Sequence, residues 1–285
     1  MFLRIAPELY LKQLVIGGMD RVYEIGKQFR NESLDNIHRC EFTPIELYRA
    51  YADYTDMITM VEHIFSKLVI LINGSPILKY DIYDHNTKTK KSIEINFATP
   101  FQRLDVITDL EKIGGFKFPE EILEDLSSEN ARQYLIDICE KRNIVCSEPR
   151  TTARLFDKLI GEYLEPLCIN PTLIMRHPQI MSPLAKYDRN NKILTERFEL
   201  FIVGNEYANA YTELNDPFVQ KNCFDKQAKD KAMGDTEAQC VDDDYVKALE
   251  YGLPPTGGLG IGIDRLMMLL TNQSCIKEVI TFGTQ

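Results

Sequence analysis

The stretch FRNESLDNIHRCEF, residues 29–42, sets Arg30, Glu32, Asp35, His38, Arg39 and Glu41 between two phenylalanines. A ligand that is both anionic and aromatic needs such a mixture, and a solvated surface loop can carry it too. A guanidinium at Arg30 can clamp a carboxylate or a phosphate through two parallel N–H bonds. Phe42 can offer an aromatic face on which a base stacks. Each has a plain alternative, an ordinary surface arginine and a packed core phenylalanine.

Strand alternation after this stretch puts Phe42, Pro44, Glu46, Tyr48 and Ala50 on one face. A Glu and a Tyr two residues apart are costly on a buried sheet face unless they meet a polar or cationic ligand. A partly solvated strand face has the same pattern. RFELFIVGNEYANAYTELND (197–216) repeats the theme, with Asn209, Tyr211 and Glu213 alternating. Glu199 and Glu206 flank an expected turn at Gly204-Asn205, and two such carboxylates could hold Mg²⁺ bridging phosphates. Exposed strand-edge charge is the alternative. Ideal pairing leaves Glu199 and Glu206 on one face and Asn209, Tyr211 and Glu213 on the other. All five serve one site only if a bulge lies between Glu206 and Asn209.

GGLGIGIDR has GxGxG spacing, not GxGxxG, and no GxxxxGK[ST] occurs. Its glycines instead suit close approach of a ligand or a neighbouring backbone. Arg265 then opens a helix, where its charge opposes the dipole. Of four histidines only His38 falls in a candidate motif, and His63, His85 and His177 read as structural or exposed. No Ser-His-Asp or Cys-His arrangement is visible.

The elements that must position these groups follow from periodicity. Residues 7–17 read as a helix with Pro7 in its first turn. Residues 21–31 and 42–53 read as strands joined by the polar stretch 32–41. Residues 55–74 have helical spacing, and 77–97 read as strand, turn, strand. Residues 118–165 are mostly helical, an insertion on one sheet edge. DKQAKDKAMGD is a solvated helix, and 258–272 a Gly-rich strand feeding a helix with Asp264 near its start. Antiparallel hairpins plus helices indicate an α+β fold, not a parallel doubly wound sheet. One domain is expected over 1–285, with the helical insertion at about 115–168.

With 285 residues, 44 % hydrophobic and 27 % charged, the chain can bury a core without a staple. Its 33 basic and 43 acidic residues give a charge of −10. That excludes nucleic-acid binding by bulk electrostatics. Seven cysteines without a CxxC pair show neither a disulfide framework nor a zinc ribbon, and a reducing, intracellular compartment is expected. No apolar run reaches the ~18 residues of a membrane span. The opening MFLRIAPELYLKQLVIGG shows no signal peptide and reads as mid-domain core, so an upstream segment is expected.

Together, FRNES…HRCEFTPIELYRAYADY resembles motif 2 of the class II aminoacyl-tRNA synthetases, and GLGIGIDRLMML resembles their motif 3. LRIAPELYLK, HPQIMSPLAK, NAYTELND and ALEYGLPPTGG are similar to the lysyl-tRNA synthetases, and the likeness spans nearly the whole chain. AKDKAMGDTEAQ leans towards the eukaryotic cytosolic branch. The resemblance implies an antiparallel sheet flanked by helices, in a homodimer when full-length. It implies ATP-dependent activation of L-lysine to lysyl-adenylate and transfer to tRNA(Lys). By the same resemblance Arg30 contacts the α-phosphate and the lysine carboxylate, and Glu32 and His38 contact ATP. Phe42 and Arg265 sandwich adenine, while Glu199 and Glu206 hold Mg²⁺. Glu8 receives the α-amino group; Glu46, Tyr48 and Glu213 hold the ε-ammonium; Asn209 and Tyr211 complete the pocket.

Several features depart from the family pattern. Ser33 stands where Gly is usual and Arg39-Cys40 where Asn-Pro is usual, which alters the motif 2 loop. Against the family pattern, motif 1 and an anticodon-binding domain are expected to be missing from these 285 residues, which end at TFGTQ. Two other readings stand beside the synthetase, a lysine-activating paralogue that modifies a protein and a non-catalytic fragment acting as a binding module.

Overall fold

A computed structural model describes residues 3–31, 35–84, 89–232, 234 and 241–282. In chain order the strands are β1 (Arg21–Ile25), β2 (Gln28–Phe29), β3 (Glu41–Phe42), β4 (Pro44–Ala50), β5 (Ile77–Asp84), β6 (Thr89–Asn96), β7 (Gln102–Asp105), β8 (Thr172–Met175), β9 (Arg197–Ile202), β10 (Asn205–Thr212) and β11 (Thr256–Gly262). The helices are α1 (Glu8–Ile16), α2 (Tyr54–Asn73), α3 (Val106–Gly114), α4 (Glu120–Glu124), α5 (Glu129–Lys141), α6 (Thr152–Tyr163), α7 (Pro217–Ala232), α8 (Asp243–Leu249) and α9 (Ile263–Thr271).

Seven strands form the main sheet in the order β1-β4-β11-β10-β9-β8-β7. All neighbours are antiparallel except β7 and β8, which run parallel. The expectation of an antiparallel sheet therefore holds for all but its far edge. Parallel neighbours need a long crossover, and here α3 to α6 supply it. These helices bury their own apolar cluster, including Leu110, Leu135, Leu155, Phe156 and Leu159. The helical block starts at Val106. β2 pairs only with β3, and β5 only with β6, in separate ribbons.

Alternation gives the main sheet two different faces. Ile45 and Leu47, Phe198 and Leu200, Ala208 and Ala210, and Leu259 and Ile261 turn to one side and pack on α2. α2 begins with a capping box formed by Asp53 and Asp56 and ends on Gly74 in the left-handed conformation. It buries Met57, Val61, Phe65 and Val69 against this face, and each such side chain contributes ~1.5–3 kcal/mol. The opposite face carries Glu46 and Tyr48 from β4 and Tyr211 from β10, covered by α1 and α8.

Two details of the β9–β10 hairpin decide what this second face presents. The turn residues are Val203 and Gly204, with φ of 51° and 69°, one residue earlier than the expected Gly204-Asn205. Asn205 instead pairs with Ile202. Two positive φ values in succession match the right-handed twist of the strands, at a cost for the β-branched Val203. The register then shifts between Glu206 and Ala208, so Tyr207 is an extra residue and Asn209 lies opposite Glu199. This bulge is the one that convergence of the acidic and polar residues requires.

Candidate active site

The opening stretch forms one end of the site. β2 and β3 bring Phe29 opposite Glu41 and Gln28 opposite Phe42, and the Arg30 amide donates to the Cys40 carbonyl at 2.9 Å. The Arg30 guanidinium lies 5.0 Å from the Phe42 ring centroid, within reach of a cation–π attraction. Its Nε donates to the Ile5 carbonyl at 3.2 Å. Glu32 and Ser33 lie outside the described residues.

His38 links this loop to α9. Asp35 accepts from the amides of Ile37 and His38, and its Oδ2 lies 2.7 Å from His38 Nδ1. Arg265 Nη2 lies 2.8 Å from His38 Nε2. A guanidinium only donates, so Nε2 is the acceptor and Nδ1 carries the proton toward Asp35. Arg265 Nη1 donates to the Glu206 carbonyl at 2.8 Å and lies 3.6 Å from Glu206 Oε2. α9 is docked to the strand after Phe42, because the Thr43 amide donates to Asp264 at 2.7 Å and Ile263 donates to the Thr43 carbonyl. Arg265 and Phe42 thus belong to one neighbourhood, but the cation over the ring is Arg30.

Glu199 and Glu206 stand side by side with opposite tendencies. Glu199 is gripped by Arg197 and by His177 Nε2 at 3.1 Å. Against burial, the Arg197 charge first and His177 second hold its carboxyl down at about 2. Glu206 is pushed up to about 7 by burial and by the Glu199 charge, against the pull of Arg265. Its side chain keeps 39 % of its accessibility, and solvent screens part of that effect. One ionised acid and one that resists ionisation mark a place lacking a positive charge. A divalent cation with hard oxygen preferences fits that donor pair. Among the described residues no group of three or more acids, histidines or cysteines could enclose a metal.

The other end of the face is a cluster of acids and tyrosines. Glu8 Oε1 accepts from the Tyr211 hydroxyl at 2.6 Å, and Glu46 Oε2 accepts from the Tyr48 hydroxyl at 2.9 Å. Glu213 follows β10 and is fully buried, and its Oε1 has no hydrogen-bond partner. Burial and the Glu8 charge lift Glu46 to about 7. Burial lifts Glu213 to about 8, helped by Glu8 and Glu46 and opposed by Lys12. The cluster therefore also awaits positive charge. Its floor is β11. A Cβ on Gly258 would fall 2.0 Å from Glu213 Oε1 and 2.7 Å from the Tyr48 ring, and one on Gly260 would meet Glu46 at 3.7 Å. The glycine pattern makes room for these acidic and aromatic side chains.

The Arg30 charge favours the ionised forms of Glu46 at one end and of Glu206 at the other. Asn209 accepts from Arg197 Nε at 3.0 Å. The face thus gathers Glu8, Arg30, His38, Glu46, Tyr48, Glu199, Glu206, Asn209, Tyr211, Glu213 and Arg265 from distant segments. Some of its members gave no warning in the sequence. His177, read as structural or exposed, is buried and orients Glu199. Arg197 grips Glu199 and is itself fixed by the Met181 carbonyl and Ser182 Oγ. Lys12 on α1 stands four residues after Glu8, where a helix brings side chains together, and that spacing is its one signal in the sequence.

This mostly antiparallel sheet flanked by helices is consistent with a class II tRNA synthetase domain. The chain belongs to that family, whose model, described as tRNA synthetases class II (D, K and N), matches residues 1–285. Its similarity is to proteins named as lysine–tRNA ligases. It is 50 % identical to Lysine--tRNA ligase cla4 of Cladosporium cladosporioides over 282 residues, 99 % of this chain and 46 % of that protein. It is 50 % identical to the probable cytoplasmic lysine--tRNA ligase of Vairimorpha ceranae, over 99 % of this chain and 54 % of that protein. The lysine--tRNA ligase of Clostridium novyi is 44 % identical over 100 % of this chain and 53 % of its own length. The chain spans about half the length of the curated relatives it matches.

Proposed function

We propose that this chain carries the lysine-activating centre of a lysine–tRNA ligase. It joins L-lysine to ATP as lysyl-adenylate and passes the lysyl group to tRNA(Lys). Arg30 carries the reading: its guanidinium lies 5.0 Å from the Phe42 ring, and its charge favours the ionised forms of both Glu46 and Glu206. A guanidinium there can hold the amino-acid carboxylate against the α-phosphate.

In the reaction a lysine carboxylate oxygen attacks the α-phosphorus. The new C–O–P linkage forms as the bond from phosphorus to the pyrophosphate oxygen breaks, and pyrophosphate leaves with the electron pair. No proton moves, so no general acid or base is required. Catalysis is positioning plus neutralisation of charge on the phosphate. That agrees with a site rich in arginines and carboxylates. Phe42 offers its ring to adenine, which takes the face now covered by Arg30, and Arg265 covers the base from the other side. His38 orients Arg265, and Glu32 is assigned to ATP by the family pattern alone. Glu199 and Glu206 would hold Mg²⁺, which when bound neutralises phosphate charge.

Glu8 takes the α-ammonium, while Glu46 and Glu213 take the ε-ammonium beside Tyr48, with Asn209 and Tyr211 closing the pocket. An uncharged amino acid would leave buried carboxylates unpaired, at a cost on the order of several kcal/mol. The full-length protein is read as a homodimer that acts in the cytoplasm, and three relatives with cytoplasmic names support the compartment. No helix among the described residues is long and apolar enough to cross a membrane. Incubation of the full-length protein with ATP, Mg²⁺, labelled lysine and tRNA tests the reading. Label in tRNA is expected, and label in a protein acceptor with none in tRNA would replace it.

A further inference from the structure

The acid cluster already contains a lysine. Lys12 is fully buried, and its Nζ lies 2.7 Å from Glu8 Oε1 and 2.5 Å from Glu213 Oε2. Three tyrosine rings surround it, with centroids 5.6 Å away for Tyr245, 5.8 Å for Tyr211 and 6.0 Å for Tyr48. Burial alone would strip its proton, but Glu213 and Glu8 hold that proton firmly. The ammonium is thus a permanent charge, built into the wall of the pocket by α1.

The charge count gives Lys12 a purpose. Glu8, Glu46 and Glu213 bring three carboxylates, and Lys12 and Arg30 bring two cations. With all three acids ionised, as they are once a bound ammonium has replaced their protons, one negative charge remains. An amino acid with one net positive charge, such as lysine, cancels it. Without Lys12 two negative charges would remain, and a buried surplus of that kind is resolved by protonation of an acid and not by a monocation. We propose that Lys12 is a positioning residue for amino-acid selection, a fixed counter-ion that ties Glu8 to Glu213 and sets the pocket one positive charge short. This rests on the lysine pocket proposed above. Lys12 does not touch the reacting atoms; it acts through the two acids it joins.

The test uses lysine-dependent ATP–pyrophosphate exchange by the full-length protein. Lys12→Met leaves the pocket two charges short, and Glu213→Gln leaves it neutral. Either single variant raises KM for lysine ~10-fold or more with KM for ATP changed less than ~2-fold. The double variant Lys12→Met/Glu213→Gln is again one charge short, so its KM for lysine falls below that of both singles. A structural role for Lys12 would make the two losses multiply. Any double variant that binds lysine no better than the singles, or that fails to fold, overturns the proposal. If Lys12→Met alone does not fold, Glu213→Gln and the double variant decide it. Failure of the underlying pocket reading looks different. The unmodified protein would then show no exchange with lysine, or Glu213→Gln would change KM for ATP as much as KM for lysine.

Discussion

The guanidinium of Arg30 lies 5.0 Å over the ring of Phe42. The two candidate nucleotide contacts therefore hold each other in this structure, and on the proposed reading ATP parts them. Arg30→Ala is expected to lower lysine-dependent exchange ~10²–10³-fold or more, the scale of one lost charge-stabilising donor. Unchanged exchange would remove Arg30 from the phosphate.

Glu213 pairs directly with Lys12, whereas Glu46 accepts a hydrogen bond from Tyr48 and feels Lys12 only through its charge. Glu46→Gln should raise KM for lysine by ~10-fold or more and leave KM for ATP nearly unchanged. Equal losses for both substrates would show that Glu46 shapes the fold and not the amino-acid pocket.

The raised carboxyls make lysine binding sensitive to pH. Glu46 at about 7 and Glu213 at about 8 retain protons that the substrate ammonium replaces. Binding therefore releases protons, and KM for lysine should fall as pH rises toward about 8 and level off above it. The sign for stability is the reverse. Both groups have an ordinary value of 4.5, so between there and about 8 the folded state holds more protons than the unfolded chain. Their contribution to the ligand-free protein is full below 4.5 and is lost as pH rises through 7 to 8. Thermal melts should show that decline, and saturating lysine should offset it. A lysine KM that worsens toward pH 8 would contradict the assignment.

Gly258 leaves space that no other residue can. Gly258→Ala places a methyl group against Glu213 and Tyr48, which should cost ~1–3 kcal/mol of stability and weaken lysine more than ATP. Gly260 has a looser neighbour at 3.7 Å, and Gly260→Ala should be milder on both counts. Denaturant melts and exchange kinetics of the pair check the order.

Much of the site follows from alternation alone. Glu46 and Tyr48 share a face because β4 is regular, and the GLGIG run places Gly258 and Gly260 on that face while Leu259 and Ile261 enter the core. The need for a bulge after Glu206 is a parity argument, and the extra residue is Tyr207. Other features depend on contacts between distant segments. The parallel pair β7 and β8 comes from how the helical block closes, which local pattern does not encode. The hairpin turn at Val203-Gly204 puts a β-branched residue where propensity disfavours it, so the glycine alone misplaces it by one. Lys12 looks like a surface lysine beside Leu11 until Glu213 arrives from the other end of the chain. His177 carries no local motif either, since its partner Glu199 sits on another strand.

The central claim is that one sheet face unites a nucleotide grip with a pocket one positive charge short. ATP–pyrophosphate exchange by the full-length protein, measured across the amino acids, tests it most directly. The account predicts exchange with lysine and background rates with uncharged amino acids, and loss of the lysine signal in Arg30→Ala. Exchange driven equally well by an uncharged or acidic amino acid, or none with lysine, would contradict it.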